Sequence, residues 1–396
     1  MRGSPFVSSI LGAIVGVALV ASSQGQSAPP TAGVHFSVFS IPSLQDPGSL
    51  ASGDLTNNQI QDLIAASGEY QTLFVGLGNG HGGLPTWNSG LVSTFPVFIT
   101  LGDVNLDGNL DAVTLDAQSN DLGISFGNGQ GGFSSTYTFT GFGNYYPSSV
   151  AVADLNLDGK PDLVGTSAQH AANEIGAVFV LLGNGDGTFQ HLRQFPTHGE
   201  SPGSIVVADF NGDHIPDVAV ANGVYNSGAG SVGILLGNGD GTFQPVRRYK
   251  AGGYPFQIVV GDFNGDGIPD IAVLSAGTYN KIHILLGNGD GTFRLSPGDL
   301  SVGYDVTSIV AADFNGDGKL DLAVCDVITG KPGYVSVFLG NGDGTFQGPT
   351  SFQVGEGPDR IVTADFNGDG KPDLATVDSV SSTVTILINA TKWPEP

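Results

Sequence analysis

The chain has 396 residues, 62 of them Gly, and its charged residues divide into 13 basic and 37 acidic for a net charge of −24. So few Lys and Arg cannot build the phosphate-binding clusters of a nucleic-acid partner, and a lone Cys excludes both a disulfide framework and a thiolate zinc site. Hydrophobic residues make up 40% of the chain, enough to bury a core and too many for a disordered protein.

Residues 1–28 read as an export signal. Arg2 gives a positive start, Ile10 to Ala21 form an uninterrupted apolar run, and Ser22 to Ala28 are small and polar as a cleavage region should be. That run is too short to span a bilayer, which needs about 20 residues. No other long apolar run follows, so no transmembrane span is expected. The mature protein is expected to be secreted, at the cell surface or in the periplasm.

Residues 34–396 form a single domain in which one unit recurs seven times. The segment Asp209-Phe-Asn-Gly-Asp-His-Ile-Pro-Asp217 returns at Asp262–Asp270, Asp313–Asp321 and Asp365–Asp373, with variants at Asp103 and Asp154 and a degenerate copy at Asp54. The starts are 49 to 55 residues apart, a period that belongs to propeller blades. Within a repeat, an apolar run such as Ile205–Ala208 precedes the Asp loop, and Asp217–Val220 and Val232–Leu236 follow it. These β-branched runs are too short for helices and are bounded by Gly, Asn and Asp, which marks strands. Gly-Asn-Gly-Asp-Gly-Thr-Phe then recurs at 183–189, 237–243, 287–293 and 340–346, with looser copies at 127–133 and 78–84. Its Asn-Gly and Asp-Gly pairs favour positive φ and predict a hairpin into a fourth strand.

The ends complete one another. The seventh repeat stops after its third strand, Thr383–Ile388, while a lone strand, Val34–Ile41, precedes the first Asp loop. Pairing the two closes a ring and leaves no open edge. The expected fold is an all-β, seven-bladed propeller of four-stranded antiparallel blades, and a monomer.

The Asp loops carry the clearest chemistry. Oxygen-bearing side chains stand at positions 1, 3, 5 and 9: Asp54, Thr56, Asn58 and Asp62; Asp103, Asn105, Asp107 and Asp111; Asp154, Asn156, Asp158 and Asp162; Asp209, Asn211, Asp213 and Asp217; Asp262, Asn264, Asp266 and Asp270; Asp313, Asn315, Asp317 and Asp321; Asp365, Asn367, Asp369 and Asp373. Calcium takes six to eight such oxygens, and a Gly at position 6 permits the bend they require. The loop is no EF-hand, because its twelfth position is Val273 or its equivalents where that motif needs Glu. Turns favour Asp, Asn and Gly without metal, but they do not need an Asp at position 9 in every copy, nor three carboxylates that would repel one another unless neutralised. These loops hold 20 of the 37 acidic side chains. About one calcium per blade is expected, up to seven, with Thr56 and Asn58 weakening the first loop and His214 straining the bend of the fourth.

The Asp loop coupled to Gly-Asn-Gly-Asp-Gly-Thr-Phe resembles the FG-GAP or VCBS-type repeats, shared by the integrin α-subunit headpiece and by secreted bacterial and fungal proteins. The resemblance covers nearly all of 34–396. It implies calcium in the loop joining the first two strands of a blade, carried over to Asp209, Asn211, Asp213 and Asp217 and their counterparts.

If the metal loops occupy one face, the other is left for partners. Its candidate residues are Tyr145, Tyr146, Arg193, His198, Tyr225, Tyr254, Tyr279, Tyr304 and Arg360, a content suited to sugars or peptide loops. Tyr-Pro pairs such as Tyr146-Pro147 and Tyr254-Pro255 equally suit the packing of blade junctions. No catalytic constellation is visible: the seven His lack metal-ligand spacing and no Ser lies in a nucleophile elbow. Cys325 reads as a core residue, and Asn389-Ala-Thr391 matches a glycosylation sequon. The leading reading is a non-catalytic binding or adhesion module for a surface glycan or protein. A polysaccharide lyase or hydrolase with its site in the central funnel, and a structural scaffold, are the alternatives.

Overall fold

Short β-branched runs between Gly-rich turns commit the chain to strands, and a computed structural model shows 29 strands and no helix among the described residues. These are residues 33–42, 47–91, 95–116, 118–143, 145–169, 176–223, 230–277, 280–303 and 305–393. The export segment 1–28 lies outside them.

The strands group into seven antiparallel sheets, one per blade, with successive strands of a repeat side by side. In the fifth blade the outer strand is split into Phe293–Leu295 and Leu300–Ser301. The first strands of the blades are Ser49–Gly53, Pro96–Gly102, Tyr145–Ala153, Ser201–Ala208, Tyr254–Gly261, Val306–Ala312 and Pro358–Ala364. Each touches the next in order and the seventh touches the first, so these strands are the hub of a closed ring.

The seam closes as the two chain ends predict. Phe36–Pro42 runs antiparallel to Thr383–Asn389, from Phe36 opposite Asn389 to Pro42 opposite Thr383. The strand begins two residues later than the sequence suggests, after Val34 has turned into the core at 2% exposure. Without it, the edge of Thr383–Asn389 would be open to other chains.

Every sheet packs between two neighbours, which is why second and third strands such as Asp217–Gly223 and Ser231–Leu235 are buried throughout. The apolar residues gather in seven clusters, one between each pair of adjacent blades. Position 2 of each Asp loop plugs one of them: Leu55, Val104, Leu155, Phe210, Phe263, Phe314 and Phe366 are at most 4% exposed. Burying such a side chain contributes about 1.5–3 kcal/mol, so the loops are anchored by packing as well as by polar contacts. Cys325 is buried in the cluster between blades six and seven, as its place in a strand suggests.

At the hub the blades also interlock through hydrogen bonds. Ser49, Ser204, Gln257 and Ser308 accept the N–H groups of Ile99, Ile258, Ile309 and Ile361 in the following blade, at 3.2, 2.8, 2.9 and 3.3 Å. Phe98 and Arg360 stand at the same register in blades two and seven, where neither side chain can accept a hydrogen bond.

Candidate functional site

The Asp loop is a cage of its own backbone donors. In the fifth blade, Asp262 Oδ1 accepts the N–H groups of Gly265 and Asp266 at 2.7 and 3.1 Å, and its Oδ2 accepts that of Gly267 at 2.8 Å. Asn264 Oδ1 accepts from Asp266 N–H, and Asp266 Oδ1 from Ile268 N–H, both at 2.9 Å. Positions 4 and 6 are left-handed, Gly265 at φ 75° and Gly267 at φ 79°. The degenerate first loop keeps this path with Asn57 at 56° and Gln59 at 65°. His214 takes position 6 of the fourth loop at 65°, the backbone cost expected of a residue with a Cβ there.

The ninth-position Asp has a task that the spacing does not reveal. Asp270 is fully buried; its Oδ2 accepts Phe263 N–H at 3.0 Å and its Oδ1 accepts Gly287 N–H at 2.7 Å. The same pair of bonds recurs at Asp62, Asp111, Asp162, Asp217 and Asp321. At Asp373 the second donor is Asn389 N–H, where the missing turn would have supplied Gly. Each carboxylate thus ties the loop to the end of the third strand. An Asp in every copy is explained by this tie without a metal.

Burial pushes these carboxyls up, against the pull of their two N–H donors, and the loop's other carboxylates push the same way. Asp111, Asp162, Asp217 and Asp373 rise to about 6, Asp270 to about 7 and Asp321 to about 8. Among the described residues no three His, Cys, Asp or Glu side chains stand together as a ready-made metal cage, because the loop oxygens are turned onto the loop's own N–H groups. The donor set nevertheless fits a hard divalent cation: it is all oxygen, crowded with like charge, and in the sixth loop Asp317 Oδ2 is buried with no hydrogen-bond partner.

The Gly-Asn-Gly-Asp-Gly-Thr-Phe segment is a hairpin, as its composition predicts, and its Asp is spent internally. Asp290 Oδ1 accepts both the N–H and the hydroxyl of Thr292, at 2.9 and 2.5 Å, which holds its carboxyl below the usual carboxylate range. Spacing alone does not show that this turn also staples neighbouring blades. Gly291 N–H donates to Phe210 O at 3.0 Å and Gly344 N–H to Phe263 O at 2.9 Å, each reaching the preceding blade's Asp loop. A Cβ on Gly291 would stand 2.7 Å from Leu236 Cδ2, at φ 73°. The invariance of that Gly across the turn copies was the available signal. Gly291→Ala is therefore expected to destabilise the ring by about 1–3 kcal/mol, measured by denaturant unfolding.

The residues that the sequence assigns to the opposite face are found in different settings. Tyr146 is 43% exposed at the start of the third hub strand, beside half-buried Tyr145. Tyr254 packs against Gly223 with its hydroxyl 2.9 Å from Ser201 Oγ, so it helps to join blades four and five. Arg360 lies half-buried over the ring of Phe98, 5.6 Å from its centre, and the contact spans the first blade across the hub. Arg193 is misplaced by the sequence reading: it opens an outer strand beside the turn and donates to Asp240 O at 3.2 Å, on the Asp-loop side. His198 is exposed in the connection after that strand, while Tyr225, Tyr279 and Tyr304 lie outside the described residues. The sequon is also no surface feature: Asn389 is 1% exposed and donates to Phe314 O and Pro372 O, so its amide is not open to a glycan.

A closed seven-bladed propeller whose blades each carry an oxygen-rich loop defines the class. Five consecutive matches to the FG-GAP-like repeat, at 103–165, 170–220, 221–273, 273–324 and 325–376, cover more than half of the chain, which belongs to this family. The chain is 34% identical to integrin alpha-PS3 of Drosophila melanogaster over 118 residues, 28% of this chain and 10% of that protein. It is 30% identical to integrin alpha-4 of Xenopus laevis over 149 residues, 33% of this chain and 14% of that protein. The similarity thus spans a small part of these relatives' length. Among solved structures, the BP39L lectin from Burkholderia pseudomallei matches with a TM-score of 0.60 at 14% identity, covering 89% of this chain and 99% of that one. The V. cholerae biofilm matrix protein Bap1 matches with a TM-score of 0.51 at 11% identity, covering 91% and 92%. At these identities the likeness is one of fold.

Proposed function

We propose that this protein is an exported, calcium-stabilised propeller that acts as a monomeric binding or adhesion module for a surface glycan or protein and performs no chemistry. The observation that carries the reading is the division of labour between the two faces. One face repeats the same oxygen-rich loop seven times and is occupied by holding blades together. The other varies from blade to blade and exposes Tyr146, while Arg360 lies half-buried at the hub. Burial pulls the Arg360 guanidinium below its ordinary value, as expected of a cation short of water, and it suits an anionic or hydroxyl-rich ligand. A lectin and a biofilm matrix protein of the same fold, and the integrin relatives, support binding as the role. Export rests on the reading of residues 1–28.

The hub speaks against the lyase or hydrolase alternative. At the register of Arg360 the other blades place Ser49, Phe98, Ser149, Ser204, Gln257 and Ser308, and four of these serve as interblade acceptors. A glycan array probed in calcium and again in chelator tests the reading. Calcium-dependent hits that Tyr146→Ala and Arg360→Ala weaken at least tenfold, about 1.4 kcal/mol each, are the expected result. Hits indifferent to both variants would move the binding site elsewhere, and cleavage of a bound polysaccharide would overturn the non-catalytic reading.

A further inference from the structure

The sixth Asp loop, Asp313–Asp321, differs from the other six in what lies over it. Elsewhere positions 4 and 5 are exposed, whereas here Asn315 is 3% exposed and Gly316 and Asp317 are half-buried. The cover is the C-terminal segment. The seventh blade has no Gly-Asp-Gly turn to staple onto the Phe314 carbonyl, and Asn389 Nδ2 and Trp393 Nε1 donate to it instead, at 2.9 and 3.4 Å. Trp393 lies on Gly316 so closely that a Cβ there would meet its Cγ at 2.3 Å. The same segment grips the N-terminal strand: His35 N–H donates to Thr391 Oγ1 at 3.0 Å, and Ala390 N–H to His35 O at 2.8 Å. Phe36 in turn packs edge-on against Phe314, with ring centres 6.0 Å apart. The N-terminal strand and the segment Asn389–Trp393 therefore meet on this one loop.

Beneath the cover, Asp317 Oδ2 and Asn315 Nδ2 are buried without a hydrogen-bond partner, and Asp317 is the only carboxylate so placed among the described residues. A buried carboxylate oxygen with no donor costs several kcal/mol unless a cation or donor meets it. We infer that the sixth loop and the segment Asn389–Trp393 together form an occluded divalent-cation site, with Trp393 as its lid, that latches the seam of the ring. This rests on the reading of the Asp loops as calcium sites and goes beyond it: the sixth ion is trapped where the others are open to solvent. By linkage, the ion that tightens the lid is itself held by the lid, and it leaves only when the segment opens.

The sequence contains two Trp, Trp87 and Trp393, so Trp87→Phe leaves Trp393 as the sole indole reporter. In this variant, calcium binding is followed by equilibrium dialysis and by Trp393 emission, and release is then started with excess chelator. Trp393 emission is expected to respond to calcium. One ion per chain is expected to leave roughly tenfold more slowly than the rest, in step with the emission change. Asp317→Asn should abolish the emission response while the other ions still bind. Replacing Trp393 by Ala should merge the slow ion with the fast ones, followed by a chelator dye since the indole is gone. Calcium bound at several sites with Trp393 emission constant and one release phase would overturn the latch and leave the calcium reading standing. No calcium bound at all would overturn both.

Discussion

With the Asp loops holding calcium as proposed, its removal is expected to lower the melting temperature of the ring by about 20 °C. A ligand held at a hundredfold excess over its dissociation constant adds about 2.7 kcal/mol per site, and six loops carry three carboxylates each. For about 360 residues a kcal/mol is worth about 1.3 °C, so six occupied sites give a shift of about 20 °C. Calorimetry in calcium, in chelator and after calcium is restored reads it directly. Superimposable melts in calcium and chelator would remove the structural ion from the account.

The same loops give the calcium-free protein an unusual pH dependence. In the folded state burial raises all seven ninth-position carboxyls, and six of them, Asp111, Asp162, Asp217, Asp270, Asp321 and Asp373, rise from 3.8 to between about 6 and about 8. Between those values the folded chain binds more protons than the unfolded one, so stability falls as pH rises. The contribution is fully present below the unfolded value and is lost as pH passes through the raised ones. In chelator, melting at about pH 5 should therefore exceed melting at about pH 8, and calcium should close the gap by holding the carboxylates ionised. A gap of the opposite sign in chelator would contradict the raised values.

Asp321→Ala is expected to be the most damaging single substitution in the loops. It strands the buried N–H groups of Phe314 and Gly340, which Asp321 accepts at 2.9 and 2.8 Å. Each orphaned donor costs about 1–3 kcal/mol, giving a loss of about 2–6 kcal/mol. The comparison that isolates this effect is Asp369→Ala, at position 5 of the seventh loop, where the residue is exposed and its Oδ1 serves only Lys371 N–H. In chelator, where no metal can contribute, Asp321→Ala should shift the denaturant midpoint sharply and Asp369→Ala hardly at all. Equal midpoints would show that the ninth Asp matters only through metal.

Much of the ring was legible because it depends on local order. The period, the strand runs, the Asn-Gly hairpins and the complementary ends are all written in short stretches, and the seam falls within two residues of its expected place. What escaped lies between segments distant in sequence. The partners of Asp321 are seven and nineteen residues away, and Asn389 meets Phe314 across 75 residues. A run rich in Asp therefore reads as a metal loop before it reads as a tie between strands. Arg193 was assigned to the wrong face for a related reason: its side chain reaches the turn of the next blade, and nothing in its own repeat announces that contact. The sequon at Asn389 shows the converse, a surface motif consumed by the packing of the last blade.

The most direct test is the calcium content of the purified protein, measured by equilibrium dialysis after complete removal of metal. Six or seven ions per chain are expected, the seventh depending on the first loop, where Thr56 and Asn58 leave only Asp54 and Asp62 as carboxylates. A stoichiometry of zero or one would contradict the central claim, because the seven loops would then be held by their hydrogen bonds alone.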